Sequence, residues 1–256
     1  MNAGRWEQLK EAFWKAAQDG GSDEACVSEA WDVDPASRDQ LRLLLDEHRR
    51  LAQATAAAPV EPSAAAVLPP GRFDVLEHLG SGAFGDVYRA VDKASDSVVA
   101  LKLLRDPRSS ALYYFKREFR GLADIRHPNI AALHELIQHR QHWMFTMEFV
   151  PGTSLGNYID GGSMSERESR LRACFLQLAA GLHFLHERDL VHRDMKPSNV
   201  LVTREGRVVI LDFGLARSFA GDDGRAGTLA GTPEYMSPEH IGGEPVTRAT
   251  AWYALG

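Results

Sequence analysis

Apolar positions along the chain change texture three times. Residues 5–18 set Trp6, Leu9, Phe13 and Ala17 at helical spacing, and Gly20-Gly21 stops the run. Asp34-Pro35 announces a second helix, with an N-cap followed by Pro at the first helical position. Leu41, Leu44, Leu45, His48 and Leu51 continue it on one stripe, and Arg49 and Arg50 suit the negative end of its dipole. Order is lost over residues 52–71, where eight Ala and four Pro fill 20 positions with Glu61 as the only charge, the composition of a partly extended linker. After Gly71, Phe73-Asp74-Val75-Leu76, Gly85–Ala90 and Val98–Leu103 are short β-rich runs separated by turn residues. A helix over about 111–124 follows, then apolar runs around 133–137 and 143–150 that read as strands. From Ser165 the pattern is helical again. Ser165 with Glu168 makes a capping box, and Leu171, Cys174, Phe175, Leu178, Leu182 and Leu185 form the stripe to be buried. Strands first and helices later predict an α+β fold in two lobes, preceded by a small helical extension.

Composition narrows the class. The 256 residues are 44% apolar and 25% charged, close to globular averages, which excludes a wholly disordered chain, a collagen-like fibre or a long coiled coil. No window approaches a membrane span, and the opening MNAGRWEQLK lacks a signal-peptide core, so a soluble protein is expected. The net charge is −6, with 7 Lys/Arg against 12 Asp/Glu in residues 1–70 and near balance beyond. Neither part is basic enough for a nucleic-acid footprint. Two cysteines, Cys26 and Cys174, are too few for a disulfide framework and read as packing residues in a reducing compartment.

Gly80-Ser81-Gly82-Ala83-Phe84-Gly85 is a G-x-G-x-x-G, a weak signal alone. Glycines let backbone N–H groups approach phosphate oxygens. The dinucleotide-binding version should open a helix, whereas Asp86–Val91 continues as a strand, which favours a flap over a nucleotide. Lys102 ends an otherwise apolar strand. It is either an edge residue with its head in water, or an inward lysine held by Glu118 of the following helix and aimed at phosphates. His139 with His142, and His183 with His186, have i,i+3 spacing, but no nearby Cys completes a site, and packing or surface roles outweigh zinc.

His192-Arg193-Asp194-Met195-Lys196-Pro197-Ser198-Asn199, followed by Asp212-Phe213-Gly214, is similar to the catalytic template of protein kinases. The glycine loop, Val99–Lys102, Glu118 and Ser237-Pro238-Glu239 stand in that family's order, so the chain resembles a Ser/Thr protein kinase from about Phe73 to Gly256. The resemblance implies a kinase N-lobe over 72–147 and a hinge with a partial, mainly helical C-lobe over 148–256, after an extension (1–51) and a linker (52–71). It implies ATP and Mg2+ as cofactors and a protein substrate. Asp194 would accept the hydroxyl proton, and Lys196 would neutralise the transferring phosphoryl. Asn199 and Asp212 would hold magnesium, and Lys102 would grip the inner phosphates, oriented by Glu118. Leu79, Gly80, Ser81, Gly82, Ala83, Phe84 and Gly85 would cover the nucleotide. Val87 and Ala100 look like the lid of the adenine slot, Met147 is similar to the family's gatekeeper, and Glu148 and Val150 would offer backbone hydrogen bonds to adenine. Lys196 and Gly231-Thr232-Pro233-Glu234-Tyr235 resemble Ser/Thr rather than tyrosine kinases, so the expected acceptor is an aliphatic hydroxyl. Thr228 stands where the family often carries an activating phosphate, with Arg193 and Arg217 as matching cations; the plainer alternative is an unmodified loop residue.

Two departures qualify the resemblance. The sequence reaches Gly256 where the family's central C-lobe helix is only beginning, which implies a piece of a longer kinase. Later helices burying even ~400 Å² of apolar surface would add about 10 kcal/mol. The helical extension is similar to those before some bacterial kinase domains, which implies a bacterial, cytoplasmic signalling kinase whose continuation carries a membrane span or repeat module. Physiological substrate, activating signal and oligomeric state stay open. The family also has an aspartate just before Trp252-Tyr253-Ala254-Leu255-Gly256, where this chain has Ala251. That change motivates a second reading, a non-catalytic nucleotide-binding scaffold, beside a third, an interaction protein acting through residues 1–51. The missing aspartate leaves backbone donors around the His192-Arg193-Asp194 turn unserved, at a cost of ~1–3 kcal/mol if buried. Ala251→Asp is expected to raise both melting temperature and activity; no change in either would count against this account.

Overall fold

Alternation along one strand organises the first lobe. In the computed structural model, β1 covers Phe73–Gly82, β2 Gly85–Asp92, β3 Ser97–Leu104, β4 Leu133–His139 and β5 His142–Glu148. They form an antiparallel sheet in the order β1-β2-β3-β5-β4. Val99, Leu101 and Leu103 of β3 pack with Tyr88, Ala90, Ile137 and Met144 on one face. Ala100 and Leu104 pack with Leu133, Phe145 and Met147 on the other. Period two therefore sends Lys102 to the second face, the one turned to the rest of the molecule. Both faces are covered, so β3 reads as a nearly unbroken apolar run. The structure describes residues 8, 9, 11–13, 15, 41, 42, 45, 67–82, 85–104, 112, 116, 119, 120, 122–160, 163–211, 217, 218, 232–242 and 244–255.

Inside the expected 111–124 helix, Leu112, Lys116, Phe119, Arg120 and Leu122 are helical, and the Phe119 ring lies 5.9 Å from that of Phe145. Within the Ala/Pro-rich stretch, Val67 and Leu68 are buried against Phe73, Tyr88 and Leu101 on the outer face of the sheet. The apolar surface there outweighs the linker-like composition around it. Near the N-terminus, Leu9, Phe13, Leu41 and Leu45 are helical and buried, as their stripe spacing requires.

The second lobe carries β6 (Gly152–Ser154), α1 (Leu155–Asp160), α2 (Met164–His186), β7 (Leu190–Val191), β8 (Val200–Thr203), β9 (Val208–Ile210), β10 (Arg217–Ser218), α3 (Pro238–Ile241) and α4 (Arg248–Tyr253). Its helical reading needs two corrections. Val200–Thr203 and Val208–Ile210 form a hairpin that β6 extends to three strands, turning at Gly206 with φ +81°. A second correction concerns the start of α2. Its capping box is Ser163 with Glu166, two residues before the expected pair, while Glu168 instead bonds Arg172 one turn on. Cys174, Leu178, Leu182 and Leu185 are buried as expected, but Leu171 is 38% exposed. It lines an apolar cavity of about 400 Å³ with Leu155 and Ile159 of α1. Gly181 marks the closest packing of α2, since a Cβ there would meet Ile210 Cδ1 at 2.9 Å. One core then runs from the inner face of the sheet through α2 and β8–β9 to Ala251 of α4. Among the described residues, no helix is long and apolar enough to cross a membrane.

The histidine pair on α2 divides. His183 is exposed, whereas His186 is buried and meets Trp252 edge-on, with ring centroids 5.8 Å apart. Its Nε2 is buried without a hydrogen-bond partner. Burial, with the Arg248 and His183 charges, pushes its pKa down. A depressed histidine stabilises the fold fully above the ordinary histidine range and loses that contribution as the pH falls through it. His186→Phe is expected to reduce the fall in melting temperature between about pH 7.5 and 5.5. His127 and His134, also pushed down by burial first, leave part of the dependence in place. An unchanged pH profile would remove this assignment.

Candidate active site

Strand β7 delivers the chain to a turn pinned by its own histidine. His192 is buried, its Nδ1 accepts the Asp194 N–H at 3.3 Å, and its Nε2 donates to the Leu211 carbonyl at 3.0 Å. Those two bonds require the neutral ring with hydrogen on Nε2. Met195 anchors the turn in the core, and Pro197–Asn199 makes one 3-10 turn that brings Asn199 back over it. The Asn199 amide donates to the Asp194 carbonyl at 2.8 Å and to Oδ2 at 3.1 Å.

The Asp194 carboxylate is shared with two residues besides. Lys196 Nζ lies 3.1 Å from Oδ2. Thr232 donates to Oδ1 through its backbone N–H at 2.9 Å and its hydroxyl at 2.7 Å. The same hydroxyl accepts from Lys196 Nζ at 2.7 Å. Burial pushes the Asp194 carboxyl up, but the Lys196 charge and the Thr232 hydrogen bonds outweigh it and hold the group below the usual aspartate range. Sequence reasoning used Thr232 only as a mark of acceptor class. Its place against a carboxylate 38 residues away was signalled by nothing local.

A second group of residues gathers under the sheet. Lys102 is buried, with Nζ 5.7 Å from the Phe145 ring centroid. Ala100 pairs with Met147 across β3 and β5, and both share a core with Val87. Glu148 closes β5, and Val150, also buried, follows it. The glycine-rich run joins β1 to β2 as antiparallel strands, with Gly82 opposite Gly85. Gly85 is obligatory, since a Cβ there would stand 2.0 Å from the Leu103 carbonyl oxygen. Ser81 donates to Asp86 at 2.6 Å, next to Gly80, and Leu79 is 43% exposed. Ala83, Phe84, Glu118, Asp212 and Thr228 lie outside the described residues. Leu211 donates to the Asn199 carbonyl at 2.8 Å, which brings the chain beside Asn199 one residue before Asp212. Arg217 pairs with Val191, two residues from Arg193.

Among the described residues no group of three or more His, Cys, Asp or Glu is placed to hold a metal ion. The Asn199 amide nitrogen is committed to Asp194, which leaves its Oδ1 as the available oxygen ligand. The face carrying Lys102 adds a cation suited to phosphate oxygens.

Thr232 yields a test of the carboxylate's setting. Thr232→Val deletes a hydroxyl that bonds both Asp194 and Lys196, and is expected to cost about 1–3 kcal/mol in urea unfolding. Thr232→Ser keeps the hydroxyl and the backbone donor and should stay within about 0.5 kcal/mol of the parent. Equal stability of the two variants would contradict the bridge.

Comparison with known proteins bears on the whole arrangement. The sequence profile described as protein kinase domain matches residues 73–256. The chain is 35% identical over 196 residues to Serine/threonine-protein kinase pkn2 of Myxococcus xanthus, covering 73% of this chain and 23% of that protein. It is 35% identical over 188 residues to Protein kinase 2 of Dictyostelium discoideum, covering 72% and 39% respectively. With CBL-interacting protein kinase 12 of Oryza sativa subsp. japonica it shares 37% identity over 177 residues, 66% of this chain and 32% of that protein. The chain thus spans well under half the length of these relatives. Because the sheet, the Asp194 turn and the Thr232 segment all fall inside the matched range, the chain belongs to the protein kinase family, in its serine/threonine branch.

Proposed function

We propose that this protein transfers the γ-phosphoryl group of ATP to Ser/Thr hydroxyls of protein substrates in a magnesium-dependent reaction. The observation that carries the reading is the Asp194 carboxylate, ionised at neutral pH and already accepting an aliphatic hydroxyl, that of Thr232, at 2.7 Å. A substrate serine or threonine needs the same contact. Asp194 orients that hydroxyl and takes its proton as the new O–P bond forms and the bond from the γ-phosphorus to the β,γ-bridging oxygen breaks, with ADP leaving. Lys196, 3.1 Å from Asp194 Oδ2, supplies positive charge where the transferring group's equatorial oxygens arrive. Asn199 and Asp212 would hold magnesium, which would supply positive charge against the phosphates. By the family's pattern Lys102, with Glu118 as its partner, would hold the inner phosphates beneath the Leu79–Gly85 run, and adenine would lie against Val87, Ala100 and Met147 with hydrogen bonds to the backbone of Glu148 and Val150. Catalysis here is positioning and electrostatics, with no covalent enzyme intermediate.

Regulation by phosphate on Thr228 belongs to the same proposal, with Arg193 and Arg217 as its receivers. The pairing of Arg217 with Val191 supports it, because the two arginines then stand on neighbouring backbone. One observation favours the non-catalytic scaffold: Ala251, in place of the family's aspartate, is fully buried on a helix packed against β7.

Radiolabel transfer from ATP to a generic basic protein separates the readings. Asp194→Asn is expected to lower transfer at least about a hundredfold while nucleotide affinity changes little, and chelation of magnesium should abolish transfer. Binding of nucleotide without any transfer by the parent protein would favour the scaffold.

A further inference from the structure

The end of β5 is tied to the β8–β9 turn by a charge pair that the reaction itself does not call for. The Glu148 carboxylate receives both terminal nitrogens of Arg207, Nη1 on Oε1 at 2.5 Å and Nη2 on Oε2 at 3.1 Å. The third nitrogen, Nε, donates to the Pro128 carbonyl at 2.7 Å. Arg207 is itself fixed by its turn, since its carbonyl accepts from Thr203 N–H at 2.9 Å and its N–H donates to Thr203 Oγ1 at 3.3 Å. Glu148 is fixed from the other side, its N–H donating to the Ala132 carbonyl at 2.8 Å. The segment between these anchors is bonded to β9, Ala131 N–H to the Ile210 carbonyl and Ile210 N–H to the Asn129 carbonyl. One guanidinium therefore joins the hinge, the loop entering β4 and the hairpin of the second lobe. The pair is only part exposed, at 39% for the arginine side chain and 25% for the carboxylate. A bidentate pair so placed holds geometry more firmly than a solvated one.

We infer that Arg207 is a positioning residue for the adenine subsite, acting through Glu148 to hold the hinge backbone of Glu148 and Val150 in binding register. The inference rests on the nucleotide-binding reading above. Hydrogen bonds to adenine from this hinge come from main-chain atoms, which cannot be removed by side-chain substitution. Their orientation depends on what holds residue 148. Without Arg207 the Glu148 carboxylate keeps one weak donor, the Ala132 N–H at 3.4 Å, and turns toward water, drawing the end of β5 with it. Binding then pays for ordering that the clamp had already supplied.

The test uses the native full-length protein, with steady-state kinetics in ATP and titration with a fluorescent ATP analogue. Arg207→Ala should raise KM for ATP and Kd for the analogue about tenfold, with kcat at saturating ATP and KM for the protein substrate changed less than about twofold. Arg207→Lys restores charge and a single contact and should recover affinity to within about threefold of the parent. That graded rescue also serves if the alanine variant does not fold. Unchanged KM for ATP alongside a lower melting temperature would reduce Arg207 to a structural role and overturn the inference. A fall in kcat with KM unchanged would overturn it too. If the unsubstituted protein binds no nucleotide analogue, the reading of function fails first and this one with it.

Discussion

One part-buried carboxylate sets the terms for this fold. Asp194 loses hydration where it sits, and it stays charged because Lys196, Thr232 and Asn199 replace water around it. Lys196 and Asn199 belong to one turn and Thr232 comes from far along the chain, so the turn at His192, the 3-10 turn at Pro197–Asn199 and the segment before α3 must all be in place together. That requirement explains why His192 spends both ring nitrogens on backbone groups, and why Met195 between two polar neighbours is buried in the core. A charged group costs most when its surroundings are half assembled.

The lobes are not separate bodies joined at a hinge alone. Phe145 and Met147 of the sheet, Leu178 and Leu182 of α2, and Val208 and Ile210 of the hairpin belong to one apolar core. Asn129 adds a polar stitch, its amide donating to Gln177 at 2.9 Å and to the Val208 carbonyl at 2.8 Å. The clamp between Glu148 and Arg207 lies on the rim of that core, where water can reach one side and geometry matters more than burial.

The legible parts of the sequence were those governed by local periodicity. β1 to β5 follow from short β-rich and apolar runs bounded by turn residues, and the stripe of α2 from its 3.6 spacing, because both patterns are local. The α2 start was misplaced because two Ser-x-x-Glu frames overlap; Ser163 wins as Glu166 turns back to its N–H while Glu168 is drawn to Arg172. The β8–β9 hairpin has a turn signal in Glu205-Gly206 between two Val-rich runs, but runs of three or four residues are too short to stand out from a helical pattern. Leu171 continues a correct stripe onto a cavity wall, where spacing alone cannot say whether anything covers it. The candidate site was legible through motif order, but the partnership of Asp194 with Thr232 and that of Glu148 with Arg207 span 38 and 59 residues. Sequence separation encodes no distance at that range.

Val67 and Leu68 give the first lobe a boundary that composition conceals. They cover Tyr88 and Leu101 on the side of the sheet away from Lys102, so the chain is fastened there to the outer face of the sheet. A recombinant fragment trimmed to Phe73 would strip that cover and present bare aliphatic strand surface to its neighbours in solution, inviting self-association.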